Sequence, residues 1–302
     1  MVLWGYGLFA CLDASILSDK LCDDLGRCLS GYHCDQATNR CVPLGEAGDG
    51  GGSDGDGVDS DLGDAQVQVP APIVLYSFSR VPAPPMVPDD SDLYPNVALR
   101  AADREPLGIE FEEGVVHFSG GRLEADQKTT QRLSETLIQA ESFTIEFWTA
   151  TTVLEQPDYR RIVTISSGNS SRSITLGQNN TSLFVWLRTS ATKQNGTDHE
   201  QMVKVFDQAG VFYHIVFTYS ADTGAAILYI DAVLGSMNMH LVGGGQPAIL
   251  NWDLEQNQLG LGDEFGVSRS WTGTLHKVAL YDQALGPEQI QWLYQLGPQD
   301  IQ

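Results

Sequence analysis

The sequence predicts an all-β protein: a two-sheet antiparallel jelly-roll sandwich with a short C-terminal helix, preceded by a small disulfide-rich segment and a flexible linker. Three observations predict it. The stretch Phe212–Asp231, FYHIVFTYSADTGAAILYID, alternates apolar and polar residues around a turn ending at Gly224, as a β-hairpin does. Short β-rich runs recur from Ser142 to Tyr281 with Gly, Asn and Ser between them, the rhythm of a sandwich and not of a βαβ fold. A single well-signalled helix follows the last of these runs.

In the hairpin, Tyr213, Ile215, Phe217 and Tyr219 point one way, while Phe212, His214, Val216 and Thr218 point the other. Such an arm suits a sheet covered by a core on one face and by something less apolar on the other. The sequence places this hairpin at the centre of the sandwich.

The chain has 302 residues, enough for one large sandwich or two ordinary domains. Its formal charge of −22 excludes a nucleic-acid backbone or an anionic membrane surface as partner, since both need clustered Lys and Arg. No stretch approaches the ~20 apolar residues of a membrane-spanning helix.

Four segments follow in order: an apolar N-terminus (1–20), a Cys-rich module (21–43), an acidic Gly/Asp linker (44–70) and one jelly-roll domain (71–302). Met1–Ala10 is apolar and runs into Cys11, and Leu8-Phe9-Ala10-Cys11 resembles a bacterial lipobox, whose Cys is lipidated after cleavage. Phe9 is bulky for that motif, and no Lys or Arg precedes the apolar run. A clipped lipoprotein signal and an ordinary N-terminus both remain open.

Cys22, Cys28, Cys34 and Cys41 fall within twenty residues, interspersed with Gly26, Gly31, Asp23 and Asp24. An even count at regular spacing reads as a disulfide knot in an oxidising compartment. Zinc is the competing reading, but close Cys-x-x-Cys pairs are lacking. The spacing allows three connectivities. The segment CDDLGRCLSGYHCDQATNRCVP resembles the short Cys-rich, EGF-like modules of exported myxobacterial proteins. That resemblance implies the pairs Cys22–Cys34 and Cys28–Cys41, with Cys11 left for lipid attachment or as a free thiol.

Gly45–Asp64 is mostly Gly and acidic residues with almost no hydrophobes, and reads as a solvated tether. Asp54, Asp56, Asp59 and Asp61 also echo calcium loops, which present oxygens from alternate residues. In the jelly-roll domain Ile73–Phe78 is the first strand, followed by an irregular loop rich in Pro and acid. Val115–Phe118 is a short strand, and Thr130–Ala140 is a short helix or turn on the sandwich edge. Strands follow at Ser142–Ala150, Arg161–Ser166, Ser173–Gly177, Ser182–Arg188 and Met202–Phe206. The hairpin comes next, then Leu259–Gly262 and Thr272–Tyr281. The closing helix has Gly286 at its N-cap, Pro287 first, Ile290, Leu293 and Tyr294 as its buried stripe, and Gly297-Pro298 as its stop.

Three blocks together resemble the laminin-G-like jelly rolls of the concanavalin A-like lectin/glucanase superfamily. They are Ser142-Phe-Thr-Ile-Glu-Phe-Trp148, the hairpin Phe212–Asp231, and Trp271-Thr-Gly-Thr-Leu275 running on through Val278–Tyr281 into the last helix. The likeness covers residues 71–297. It implies a jelly-roll fold, with ligands met at the loops and calcium at the rim in some relatives. Departures from the family pattern are Phe212 for Trp, Ala232 for the Gly of an Asp-Gly turn, and His276-Lys277 in place of an acidic pair. A positive φ at Ala232 is therefore expected to be strained.

Glucanases of this superfamily carry their two carboxylates as Glu-x-Asp-x-Glu on one strand, where period two aligns them. Glu110-Phe-Glu112-Glu113 and Asp253-Leu-Glu255 come nearest, and neither completes the pattern. His214 is expected to face inward and donate to a neighbouring strand's carbonyl. Trp148 and Trp186 read as core. Trp252 and Trp271 stand near strand ends, where packing against the sandwich rim is the ordinary role and an exposed ring would instead stack on a sugar. Asp89, Asp90 and Asp92 are rim candidates for calcium.

The expected function is a non-catalytic binding module, secreted or displayed at the cell surface, that takes a glycan or an extracellular protein through its loops. A membrane is reached only through a lipid anchor. The alternatives are a structural or adhesive envelope protein and a glycoside hydrolase with atypical acids.

Overall fold

The computed structural model describes residues 32–35, 40–43, 67–79, 86–102 and 108–298. The chain forms two compact units, Met1–Asp64 and Ala65–Gln302. Expectations for Met1–Ala10, Cys11, Cys22, Cys28 and the aspartates Asp54, Asp56, Asp59 and Asp61 lie outside the described residues. In the first unit β1 (Tyr32–Asp35) pairs antiparallel with β2 (Arg40–Pro43), and the register sets the backbone of Cys34 opposite that of Cys41.

The second unit opens with β3 (Val74–Tyr76), β4 (Met86–Val87), β5 (Leu99–Ala101), β6 (Ile109–Glu112), β7 (Val115–Ser119) and β8 (Leu123–Ala125). Helix α1 (Gln127–Ala140) leads into β9 (Ser142–Thr151), β10 (Arg160–Gly168), β11 (Ser171–Asn179), β12 (Ser182–Leu187) and β13 (Gln201–Lys204). Then come β14 (Tyr213–Ser220), β15 (Ala225–Ile230), β16 (Val233–His240), β17 (Val242–Gly243) and β18 (Gln246–Pro247). The chain closes with β19 (Gln258–Leu261), β20 (Thr272–Tyr281) and α2 (Pro287–Leu296).

One sheet runs β13-β12-β11-β10-β19-β8-β5-β4 and the other β16-β15-β14-β9-β20-β7-β6. Strand β20 pairs with β7 through its first half and with β3 through its second. The inner faces meet in one core. Ile145 and Phe147 of β9, Ile215 and Phe217 of β14, Val163 and Ile165 of β10, and Ile174 and Leu176 of β11 are all buried there. This is the antiparallel sandwich that the alternation predicts.

Some expectations shift. The hairpin β14–β15 lies toward one edge of its sheet, and β9 is the middle strand. Helix α1 starts three residues before the predicted Thr130, because Asp126 caps it by accepting from the Thr129 amide. Strand β16 went unpredicted: it is an edge strand with Val233 and Leu234 exposed, so its sequence lacks a clean alternation. The two-residue turn before it has Asp231 at φ 51° and Ala232 at φ 60°. Those are the angles a type I′ hairpin demands, and Ala232 meets them at a cost glycine would not incur.

Candidate ligand-binding faces

The sheet built on β9, β14 and β20 carries a second, smaller layer on its outer face. Helix α2 lays Ile290 and Leu293 over Val216, Tyr229, Ala279 and Tyr281. Period two puts Glu146, His214, Lys277 and Tyr281 on that face, and all four are buried. A bulge between Leu275 and Lys277 adjusts the register of β20 against β9.

Glu146 is the hub. Its Oε1 accepts from Lys277 Nζ at 2.7 Å and faces His214 Nε2 at 3.1 Å, while its Oε2 accepts from Tyr281 at 2.8 Å. Burial alone would raise its carboxyl. The His214 hydrogen bond and the Lys277 charge override that and hold it down to about 2. His214 therefore meets a carboxylate and not the carbonyl expected for it. A lone imidazole in a strand pattern gives no hint of which strand its partner occupies. Trp148 also differs from expectation: it lies on this outer face, half-buried, stacked on His214 and on Tyr294 at centroid distances of 4.7 and 5.7 Å.

The outer face of the other sheet is more polar still. On β12 alternation turns Phe184 and Trp186 outward while Leu183, Val185 and Leu187 fill the core. Phe184 can lie flat there because Gly177 stands opposite it; a Cβ on Gly177 would come within 2.6 Å of the ring. Arg161 of β10 and Arg172 of β11 sit over Trp186, their guanidinium carbons 4.8 and 4.7 Å from its centroid. Glu264, wholly buried, accepts from both: Arg161 Nε at 2.9 Å and Arg172 Nε at 3.2 Å. Ser166 donates to the same carboxylate at 2.5 Å.

Burial would raise the Glu264 carboxyl, and the Arg161 charge with the Ser166 and Arg161 hydrogen bonds holds it below its ordinary value instead. Burial in turn brings the Arg161 guanidinium down to about 10, against the opposing pull of Glu264. Loop residues close the cluster. Glu200 accepts from Trp186 Nε1 at 2.7 Å and from the Tyr159 hydroxyl at 3.3 Å. Asn169 accepts from Arg172 at 2.5 Å. Asp158 at the rim faces Arg160 and Arg269 at 3.9 and 4.0 Å.

The residues singled out in the sequence are not gathered at either face. Trp252 and Trp271 do not present open rings; both pack into the sandwich, the packing role expected for a ring near a strand end. Trp271 is fully buried with Nε1 donating to Gln178, and Trp252 packs edge-on against Phe143 and donates to the Arg188 carbonyl. Proximity to a strand end does not expose a ring when the opposing sheet closes over it. Asp89 Oδ1 accepts the Leu75 and Ser91 amides and Oδ2 the Val97 amide, so it ties a loop to β3. Asp90 accepts from the Ser77 amide and hydroxyl, and Asp92 is an exposed turn residue with φ 55°. Glu110 and Glu112 are exposed on edge strand β6, and Asp253 accepts from the Glu255 amide. Among the described residues no three His, Cys, Asp or Glu converge on a metal position. Arg161, Arg172, Tyr159, Glu200 and Glu264 were missed. Their only sequence signal is charge inside strands, which becomes informative once the pairing of β10, β11 and β12 is known.

A laminin-G family model, described as the concanavalin A-like lectin/glucanases superfamily, matches residues 125–291. No curated protein matches. The solved structures that resemble the chain include the Trypanosoma rangeli sialidase in complex with 2,3-difluorosialic acid: TM-score 0.55, 14% identity, 75% of this chain and 33% of that one. The receptor-binding domain of botulinum neurotoxin C/D mosaic serotype aligns with TM-score 0.57 and 13% identity, over 75% of this chain and 51% of that one. The binding domain of botulinum neurotoxin DC in complex with rat synaptotagmin II gives 0.51 and 16%, over 74% and 51%. The chain thus spans a third to a half of these structures, and likeness at such identities shows the fold alone.

Proposed function

Because the chain belongs to the concanavalin A-like lectin/glucanases superfamily, we propose that its jelly-roll domain is a non-catalytic module binding a glycan or an extracellular protein. The observation that carries this reading is the state of its buried acids. Glu146 and Glu264, the two carboxylates most enclosed by cations, are both held down, one of them to about 2. A glycosidase acid has to be held up, so that it carries a proton to the leaving oxygen. Here each acid is locked to fixed donors and serves to shape a face. Ligands of both kinds are named with proteins of similar fold: sialic acid derivatives with the sialidase, synaptotagmin II with the toxin domain. The Cys cluster in the first unit favours an exported protein, secreted or held at the surface, with an EGF-like module ahead of the sandwich.

The test uses the full chain on a glycan array and in a pull-down, with and without calcium, beside a hydrolysis assay on laminarin-type glucans. Saturable binding without turnover is expected. Turnover abolished by Glu110→Gln or Glu112→Gln would move the protein to the glycoside hydrolases.

A further inference from the structure

We infer that the outer face of the sheet at β6, β7 and β20 holds a site for a borderline divalent cation such as zinc. His117 and His276 are its nitrogen ligands and Glu112 its carboxylate. The site goes beyond the binding reading above and does not depend on it.

Strand register begins the argument. On β7 alternation buries Val116 and Phe118 in the core and turns His117 outward. On β6 Phe111 packs against the same core, so Glu110 and Glu112 face out. His117 pairs with Glu110 on one side and with Thr274 of β20 on the other. His276 stands two residues beyond Thr274, a diagonal neighbour of His117 and within its electrostatic reach. It is also the residue at the β20 bulge: Leu275 and Val278 both point into the core, with His276 and Lys277 between them. A bulge lets two successive residues share a face. Lys277 turns to Glu146, while His276 meets Phe212 edge-on at 4.4 Å between ring centroids.

Hydrogen bonding adds the second step. The Nε2 atoms of His117 and His276 are both shut off from solvent, and neither has a hydrogen-bond partner. Glu112 Oε2 stands 3.4 Å from His117 Nε2 without making that bond, and the Glu112 side chain is 73% exposed. Buried polar atoms are nearly always paired. Two unpaired ring nitrogens on neighbouring strands, beside a carboxylate, mark a place that a ligand completes.

The donors select that ligand. Two imidazoles and one carboxylate are the set found in zinc sites that keep a fourth position open. Copper and nickel accept the same donors. Calcium and magnesium take oxygen ligands instead, so the two nitrogens disfavour them. Glu110 and Glu112 on the same face disfavour an anion. As placed, no three donors converge among the described residues. Glu112 closes that gap by turning its exposed side chain, so the cation is taken up by a fold already formed.

The experiment titrates the metal-free full chain with zinc by calorimetry, with calcium and magnesium for comparison. His117→Gln and His276→Gln each remove a nitrogen ligand, and Glu112→Gln removes the anion. His240→Gln, at an exposed histidine on β16, is the control. Thermal melts check that each variant folds. Thiolates elsewhere in the chain also take zinc, so cobalt(II) spectra are recorded beside the titrations. The expected result is zinc binding weakened about tenfold or more in the three site variants, since disturbing a ligand shell costs at least that much. In His240→Gln it stays unchanged. The cobalt bands lost with either histidine should carry no thiolate charge-transfer absorption. Zinc binding at full strength in the folded histidine variants overturns the site, as does a wild type that takes up no zinc. Loss with the histidines but not with Glu112→Gln overturns the carboxylate's place. Calcium bound in preference to zinc overturns the cation class.

Discussion

Lys277 Nζ lies 2.7 Å from Glu146 Oε1, and both side chains are buried beneath the C-terminal helix. The two strands that carry them, β20 and β9, are neighbours, so the pair is set by sheet register and not by flexible reach. Tyr281 and His214 complete the set of partners around the same carboxylate. Removing one member leaves the others desolvated, which makes this cluster the place where single substitutions should cost most.

Lys277→Met is expected to destabilise the jelly-roll unit by about 3–5 kcal/mol, because it leaves a buried carboxylate short of its main cation. Adding Glu146→Leu should recover a large share of that loss, since the uncompensated charge is then gone. Urea titrations of the wild type, the single and the double variants measure both terms. A Lys277→Met cost near zero would mean that Glu146 does not depend on this partner.

The same carboxylate sets an acid limit. Its folded value of about 2 lies below the ordinary 4.5, so it contributes stability above the ordinary value and loses it as pH falls toward 2. The shift corresponds to about 3 kcal/mol. Glu264, also held down, adds to the loss in the same direction. Near-UV circular dichroism on acid titration should show tertiary structure failing between about pH 4.5 and 2. In Lys277→Met the transition should move to higher pH.

Ala232→Gly should stabilise the protein by about 1 kcal/mol. The residue sits at φ 60°, where a Cβ is disfavoured and glycine is free. A thermal melt with unchanged circular dichroism would establish it; a lowered Tm would show that the turn is held by packing instead.

Asp89→Asn should cost about 1–3 kcal/mol, because three backbone amides lose their anionic acceptor. EDTA, by contrast, should leave the Tm of the wild type unchanged if Asp89 serves these amides and not an ion. A Tm that falls with EDTA and returns with calcium would restore the metal reading for this loop.

The hairpin shows how much was legible. Tyr213, Ile215, Phe217 and Tyr219 are buried in the core and Val216 lies on the opposite face, as the alternation of the segment predicts. The closing helix is equally local: Gly286, Pro287 and Gly297 mark its ends, and Ile290 and Leu293 its buried side. The tryptophans are less legible from local pattern. Trp148, expected in the core, lies on the outer face, while Trp252 and Trp271 pack inside the sandwich. Period two says which residues share a face of one strand, and it does not say what covers that face.

The sequence by itself determined the class of fold, the positions of most long strands and the terminal helix, because these follow from short-range periodicity and from capping residues next to one another in the chain. Tertiary structure alone decided that Glu146 meets Lys277 across 131 residues and that Glu264 meets Arg161 across 103. A buried charge takes its meaning from its partner. That partner is chosen by strand order and register, which depend on how the whole sheet closes and which no local pattern encodes.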